Sequence, residues 1–595
     1  MTVRPRTTQE LIHWLEMGPG ARWILTAALL VCGIALSGLV AWRQFHGAAT
    51  EMTLAQADLG RQIAAGDGFT THVNYPQAAA FLETRGVHFD EAHPYPEVYQ
   101  APMYALVIAG ALRVLPHGAR EALFAAAPPP PLGFAADYFL LGLNLVLFWF
   151  AIWLVWDLGR RLFGAAAGAL AAAALFVSLP VWQQVVAVNG TALMMVLALG
   201  TFHAWWRVES ADGFRKAAAA LGILGALCGA LFLCEYSAGI LVGVAIWGVA
   251  RRFPAARWRA VGLVVGGFAL VAGPWMGRNM AVTGFPVGLA IQNVALKTGD
   301  ALAEPSAARA ALSASLPSID LNKLANKALT SVQEDLRTRV WSGGAMWFVA
   351  FFAAGWLYVF RSEPVNRLRW LFALSLLTLA GSQAVFNSGE SERQAAVWLS
   401  PLIIVFGAGF FFVLLGSHPI LSAWPRMCAA SLLLLQALPL VHDALDPHWL
   451  HFQYPPYFPQ LLQGMRRQLE SADASGRYGL MADVPAGLAW YGGSRAWAQP
   501  ATLRDFYAVQ VEQPTGELLL TPKTLDRPFF SDLNARPRTQ GFLSGFTPRI
   551  GEWGEVYGGL LTGAFPRDFP LSSPQKLAEN LYVLVNPSLP AARPR

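Results

Sequence analysis

Apolar runs of about 20 residues recur along this chain, separated by short loops that carry arginine, and this pattern constrains the fold more than any single motif does. A run of that length crosses the hydrocarbon core of a bilayer as an α-helix, which pairs its own backbone polar groups where no water can. The first run, 23–42, is longer than the apolar core of a signal peptide and has no clean small-residue cleavage site after it, so it reads as a retained span. Further runs fall at 138–158, 164–180, 183–206, 217–234, 236–250, 260–278, 342–360, 369–386, 396–415 and 426–443, giving an expectation of about eleven transmembrane helices.

Charge supports the same class. Charged residues make up 13% of the 595, where about 25% is ordinary for a soluble chain, and apolar residues make up 55%. The net charge of +6 is therefore no nucleic-acid signal. Arg160, Arg161, Arg207, Arg215, Lys216, Arg251, Arg252, Arg257, Arg259, Arg361, Arg367, Arg369 and Arg426 all fall on the side shared with the N-terminus, which carries Arg4, Arg6 and Arg22. The positive-inside rule makes that side cytoplasmic, and an odd number of spans puts the C-terminus on the other face. Arg43, Arg278 and Arg393 are the exceptions, each beside a span on the outer side. The four cysteines, Cys32, Cys228, Cys234 and Cys428, lie in apolar stretches without metal-ligand spacing.

The expected architecture is an α-helical polytopic membrane domain over 1–443 and an extramembrane α/β domain over 444–595. The membrane domain carries a first outer loop at 43–137 and a second at 280–340. Past 444 the chain turns polar and rich in Pro and Gly, with strand-like runs YGLMADVP, ELLLTP and LYVLVNP. The apolar segment 102–115 is too short to span and reads as an interfacial or re-entrant helix. In the second outer loop, Leu321, Leu324, Ala328, Val332 and Leu336 share one helical face suited to the membrane surface.

The first outer loop gathers the chemistry. Residues 51–65 have helical spacing, and Gly66 and Gly68 end the helix where a positive φ is needed. Glu51 and Asp58, two turns apart, point the same way, while Met52, Leu59 and Ile63 form an adjacent apolar face that could rest on the bilayer. Two solvated acids on a surface helix would give the same spacing.

A first span, an acid opening a helix, GRQIAAGDGF, and a loop ending in QAPMYALVIAGAL together resemble the polyprenyl-phosphate-dependent glycosyltransferases of the GT-C superfamily. The protein O-mannosyltransferases and the lipid A aminoarabinose transferase belong to that superfamily. PWMGRNMAVTGFPVG (274–288), SERQAAVWLSPLI (391–403) and MADVPAGLAWYGG (481–493) are similar to later family segments in the same order. The family's leading acid is usually Asp, whereas Glu51 stands at the matching position here.

The resemblance implies an inverting membrane glycosyltransferase. It would take a sugar from undecaprenyl phosphate on the outer face of a bacterial inner membrane and pass it to a lipid, glycan or protein acceptor. Glu51, supported by Asp58, would accept the proton of the attacking hydroxyl. Arg278 and Arg393, at the outer ends of spans, would hold the donor phosphate through their planar forks, although lipid headgroup contact alone would also place them there. Arg61, Tyr104, Glu235, Asn279 and Asn293 are candidate substrate contacts. His93 with Glu91, Asp90 and Glu97 offers ligands for a divalent metal, or else a charged loop surface. Trp182 and Asn189 are further candidates for contact with lipid or sugar, although a Trp at an interface needs no function, and His203 reads as an interfacial residue on the inner side.

Two other classes compete. A transporter or flippase of a lipid-linked sugar would need charges and broken helices near mid-membrane and repeated halves, and the spans hold almost no charge. A non-catalytic scaffold with an outer binding domain would not bind polyprenyl phosphate.

Overall fold

The computed structural model describes residues 19–48, 50–90, 93–125, 133–296, 305–386, 395–445, 459–473, 476–525, 553–578 and 580–589. Among them seven helices are long and apolar enough to cross a membrane: Trp23–Gln44, Ala135–Phe163, Phe214–Cys234, Pro254–Thr283, Glu363–Phe386, Ser400–Ser417 and Pro425–Leu445. An eighth is formed if Ala165–Phe176 and Leu179–Val186, bent by 56° against each other, make one broken span. Leu29, Val31 and Ile34 of the first helix stay exposed, as lipid-facing residues must.

The count differs from eleven for local reasons. The run at 183–206 is interrupted, because Val188 and Gly190 take left-handed φ of 51° and 49° between Leu179–Val186 and Thr191–Glu209. The run at 342–360 contracts to Phe348–Gly355 behind Met346, also left-handed at φ 41°. The run at 236–250 becomes a 3-10 turn, Tyr236–Gly239, and the 13-residue helix Ile240–Arg252. Hydropathy reports the apolar run and is blind to these breaks.

Ion pairs collect at one end of the bundle. Asp157 pairs with Arg160 and Arg161 at 2.7 and 2.5 Å, and Glu209 pairs with Arg367 at 2.6 Å and Arg252 at 3.5 Å. Asp137, at the other end of the Ala135–Phe163 helix, meets the C-terminal α/β region. Arg160, Arg161, Arg252 and Arg367 thus lie at the end of the bundle opposite Asp137.

The α/β region is built on a six-stranded sheet of order β2-β5-β4-β6-β8-β7. Its strands are β2 Val73–Asn74, β4 Gly479–Ala482, β5 Ala496–Ala498, β6 Thr515–Leu520, β7 Ser573–Ala578 and β8 Leu581–Val585. The first four in sheet order run parallel, and β8 and β7 add on antiparallel. The three strand-like runs of the sequence become β4, β6 and β8. However, β2 comes from the first loop, with Val73 beside Ala496 and Asn74 beside Trp497, so the sheet does not stop at a boundary near 444. A second pair, β1 Thr70–Thr71 and β3 Tyr95–Pro96, folds the first loop on itself.

Side chains alternate across this sheet. Met481, Trp497, Leu518 and Leu584 pack with Tyr95, Tyr99 and Trp553 on one face. Leu480, Leu519 and Val583 face the Pro459–Ala472 helix, in a core continuous with the bundle.

Candidate active site

The first-loop helix forms over Glu51–Ala65 as its spacing predicts. Thr50 caps it by accepting from the Thr53 N–H at 3.2 Å, and Gly66 closes it at φ 106°. The bilayer is not its neighbour: Leu59 and Ile63 are buried against protein, and the 12-residue helix Met103–Val114 packs alongside. Gly60 permits that approach. A Cβ there would lie 2.9 Å from both the Ala105 carbonyl oxygen and the Ile108 side chain.

Glu51 and Asp58 part company in three dimensions. The Glu51 Oε2 accepts from the Ala486 N–H at 3.0 Å, where the chain turns from β4 into the short helix Pro485–Gly487 and its π-helical continuation Leu488–Gly492. Ten residues on, Arg61 stacks over Phe124 at 4.1 Å and donates to the Trp490 carbonyl at 3.3 Å; Arg466 donates to the Gly492 carbonyl at 2.9 Å. An acid therefore sits at the N-terminal end of this turn and cations at its C-terminal end, the signs that complement backbone dipoles. Asp137 completes the attachment, accepting from Trp490 Nε1 at 2.9 Å and the Tyr491 hydroxyl at 2.8 Å. Arg61, an expected substrate contact, is thus occupied in holding the α/β region to the first loop.

Asp58 is wholly buried. Its Oδ2 accepts from the His72 backbone N–H at 2.9 Å, its Oδ1 lies 3.1 Å from His72 Nδ1, and Gln62 Nε2 reaches the same ring nitrogen at 2.8 Å. Burial alone would raise its pKa, but the hydrogen bonds and charge of His72, with Arg61 nearby, hold the carboxyl below its usual value. The group ties the helix to the start of β2.

Arg278 is likewise engaged. It donates to the carbonyls of Glu97 and Phe69 and to Asn279 Oδ1, and it stacks on Trp275 at 4.9 Å. Trp275 donates to the Tyr236 hydroxyl at 2.9 Å, and that hydroxyl donates to the Gln100 carbonyl at 3.3 Å. Asn279 is buried in the same network. Together these residues fasten both strands of the β1–β3 pair, at the end where Phe69 faces Glu97, to the end of the Pro254–Thr283 span. Tyr104, another expected contact, is fully buried, donating to the Val188 carbonyl and accepting from Asn144, both at 2.7 Å. Its hydroxyl is consumed by packing between helices.

A cavity of about 620 Å³ lies beside this network. Glu235 and Ser237 line it from the turn that also provides Tyr236. Ser331, Glu334, Asp335 and Arg339 come from the second loop, and Gln383 from the Glu363–Phe386 span. The rest of the wall is apolar, including Phe352, Trp356, Leu376 and Leu377. Arg339 bonds Asp335 at 2.8 Å and Glu334 at 3.3 Å, and Asp335–Arg339 is a π-helical turn, a distortion frequent at functional sites.

Sequence reasoning missed Arg339; the Asp335/Arg339 spacing of four was its only signal. In the helix before it, Val332 and Leu336 of the expected apolar face line the cavity. Leu321 and Leu336 are exposed, while Lys327 is buried, donating to the carbonyls of Asn293 and Val294 at 2.7 and 3.2 Å. Asn293 is thereby placed as a backbone anchor for the second loop.

Arg393 and Glu91 lie outside the described residues. His93 is exposed, 2.5 Å from Asp90, whereas Glu97 is buried and accepts from the N–H groups of Tyr99 and Gln100 at 2.7 and 2.9 Å. Among the described residues no group of three or more His, Cys, Asp or Glu side chains is placed to hold a metal.

Fold and site together define an α-helical membrane protein with an α/β region clamped to its first loop beside an amphiphilic cavity. No family model and no curated protein matches the sequence. Among solved structures, the chain is similar to the archaeal oligosaccharyltransferase AglB from Archaeoglobus fulgidus, solved with an inhibitory peptide and a dolichol-phosphate. The identity is 12% and the TM-score 0.47, over 82% of this chain and 69% of that one. It is also similar to ArnT from Cupriavidus metallidurans bound to undecaprenyl phosphate, at 12% identity and TM-score 0.42, over 96% of this chain and 99% of that one.

Proposed function

We propose that this protein is an inverting glycosyltransferase of the outer face of a bacterial inner membrane, using a polyprenyl-phosphate sugar and a lipid, glycan or protein acceptor. The observation that carries the reading is the cavity. Span helices supply an apolar wall for an isoprenoid chain, and loop residues supply a charged end for a phosphosugar head. The ordered motifs support the same reading.

In this reaction the acceptor oxygen forms a bond to the anomeric carbon as the bond to the phosphate oxygen breaks. The acceptor's proton goes to the Glu51 carboxylate, and the polyprenyl phosphate leaves with the bonding electrons. Phosphate is a good leaving group, so the demand is for a base and for cations on the developing charge. Arg339 is the cation in the cavity wall; Arg278 and Arg393 are assigned as further contacts to the donor head. Glu235 and Tyr236, adjacent in sequence, bring the cavity wall next to the loop that Arg278 holds. Gln56, on the Glu51 helix, donates to Gln100 at 3.5 Å and continues the connection.

The test is transfer from a radiolabelled undecaprenyl-phosphate sugar in membranes containing the protein. Loss of transfer in Glu51→Gln with donor binding retained supports the assignment; full activity in that variant removes Glu51 as the base. A second reading, a lipid-binding protein without transferase activity, is favoured by the capping bond that Glu51 makes to Ala486. Donor binding without transfer by the unaltered protein, across lipid, glycan and protein acceptors, would select it.

A further inference from the structure

The α/β region contains a buried carboxyl that none of the preceding roles uses. Glu517, on β6, is 1% exposed, and neither carboxylate oxygen has a hydrogen-bond partner among the described residues. A β-bulge brings it there. Gly479 pairs with Thr515 and Leu480 with Glu517, so Gly516 is the extra residue and Glu517 shares the face of Leu480 and Val585. That face lies under the Pro459–Ala472 helix, whose Leu469 approaches Gly516 closely.

The charged and titratable groups on the packed elements are directed elsewhere. Arg466 bonds Glu470 at 2.7 Å and the Gly492 carbonyl at 2.9 Å, Arg467 is exposed, and Asp473 accepts from the Tyr478 N–H at 2.7 Å. The Tyr478 hydroxyl lies 3.4 Å from Ser588 Oγ. On β4 and β8 the residues paired with Glu517 are Leu480 and Val585. Ionising a carboxyl that is buried to this degree and unpaired among the described residues is costly.

We propose that Glu517 is a proton-operated latch: uncharged, it lets the Pro459–Ala472 helix seat on the sheet, and ionised, it loosens that helix together with the Arg466 hold on the Leu488–Gly492 turn. The latch would act on the turn that Glu51 caps, whatever the cavity binds. The direction of its pH response follows from burial, which pushes the Glu517 carboxyl from 4.5 up to about 7. The seated state binds the proton more tightly than the open state, so seating is complete in acid and weakens as pH rises between those two values.

Hydrogen exchange of the full-length protein in detergent micelles tests this, after correction for intrinsic exchange rates. From pH 5.5 to 8 the opening constant of the Pro459–Ala472 helix should rise on the order of 25-fold. Glu517→Gln and Glu517→Met, the second removing the buried polar group altogether, should both abolish the rise. An opening constant that is flat with pH in the unaltered protein, or a rise that persists in both variants, overturns the proposal.

Discussion

Glu51 Oε2 accepts a hydrogen bond from the Ala486 backbone N–H at 3.0 Å, joining residues 435 positions apart in sequence. The contact puts the acid proposed as the base at the start of a turn belonging to the α/β region. Position and reactivity of that carboxylate are therefore coupled, and substitutions can separate them.

Glu51→Gln keeps an acceptor oxygen for Ala486 but cannot take up a proton. Transfer should fall on the order of 100- to 10,000-fold, the usual contribution of a positioned base. Exchange protection of residues 485–492 should be retained. Glu51→Ala should lose both, so two measurements on two variants distinguish a chemical role from a capping role.

Asp137 receives two donors, Trp490 Nε1 and the Tyr491 hydroxyl, in a buried setting. Asp137→Ala leaves both without an acceptor, at about 1–3 kcal/mol for each buried unsatisfied group. The expected result is faster proteolytic release of the α/β region from the bundle in micelles. Asp137→Asn retains an acceptor for Trp490 and should be cut more slowly than the alanine variant.

Much of this architecture can be read from the sequence, and what cannot has physical causes. The Glu51–Ala65 helix and the strands β4, β6 and β8 are local, and residue spacing and Gly66 mark them. The two-residue strand β2 is not, because its pairing with Ala496 and Trp497 closes a loop of more than 400 residues that no local periodicity reports. Spacing put Glu51 and Asp58 on a common side, yet tertiary contacts gave one to Ala486 and the other to His72. The cavity depends on Arg339, which in sequence is one charge among several in a loop.

Ala380 faces the cavity from the Glu363–Phe386 span. Ala380→Trp should fill the space proposed for an isoprenoid chain and weaken undecaprenyl phosphate binding at least tenfold, measured by native mass spectrometry of the micelle-extracted protein. Arg339→Ala should weaken the same lipid phosphate while leaving binding of the uncharged undecaprenol unchanged. Equal loss for both lipids in Arg339→Ala would point to collapse of the turn rather than loss of a phosphate contact.

The Asp58–His72 pair sets a pH dependence opposite in sign to that of Glu517. Its folded carboxyl lies below the ordinary value of 3.8, because the hydrogen bonds and charge of His72, and Arg61, outweigh burial. A depressed carboxylate contributes stability that is complete above the unfolded value and is lost as pH falls through the folded one. Acid should therefore release the first-loop helix from β2 below about pH 4, seen as falling exchange protection at residues 51–74. Asp58→Asn should remove that acid dependence and cost about 1.5–3 kcal/mol at neutral pH, the range for a hydrogen bond to a charged group. If the variant keeps the full acid-side slope, the release belongs to another carboxyl of the loop and Asp58 is not the anchor.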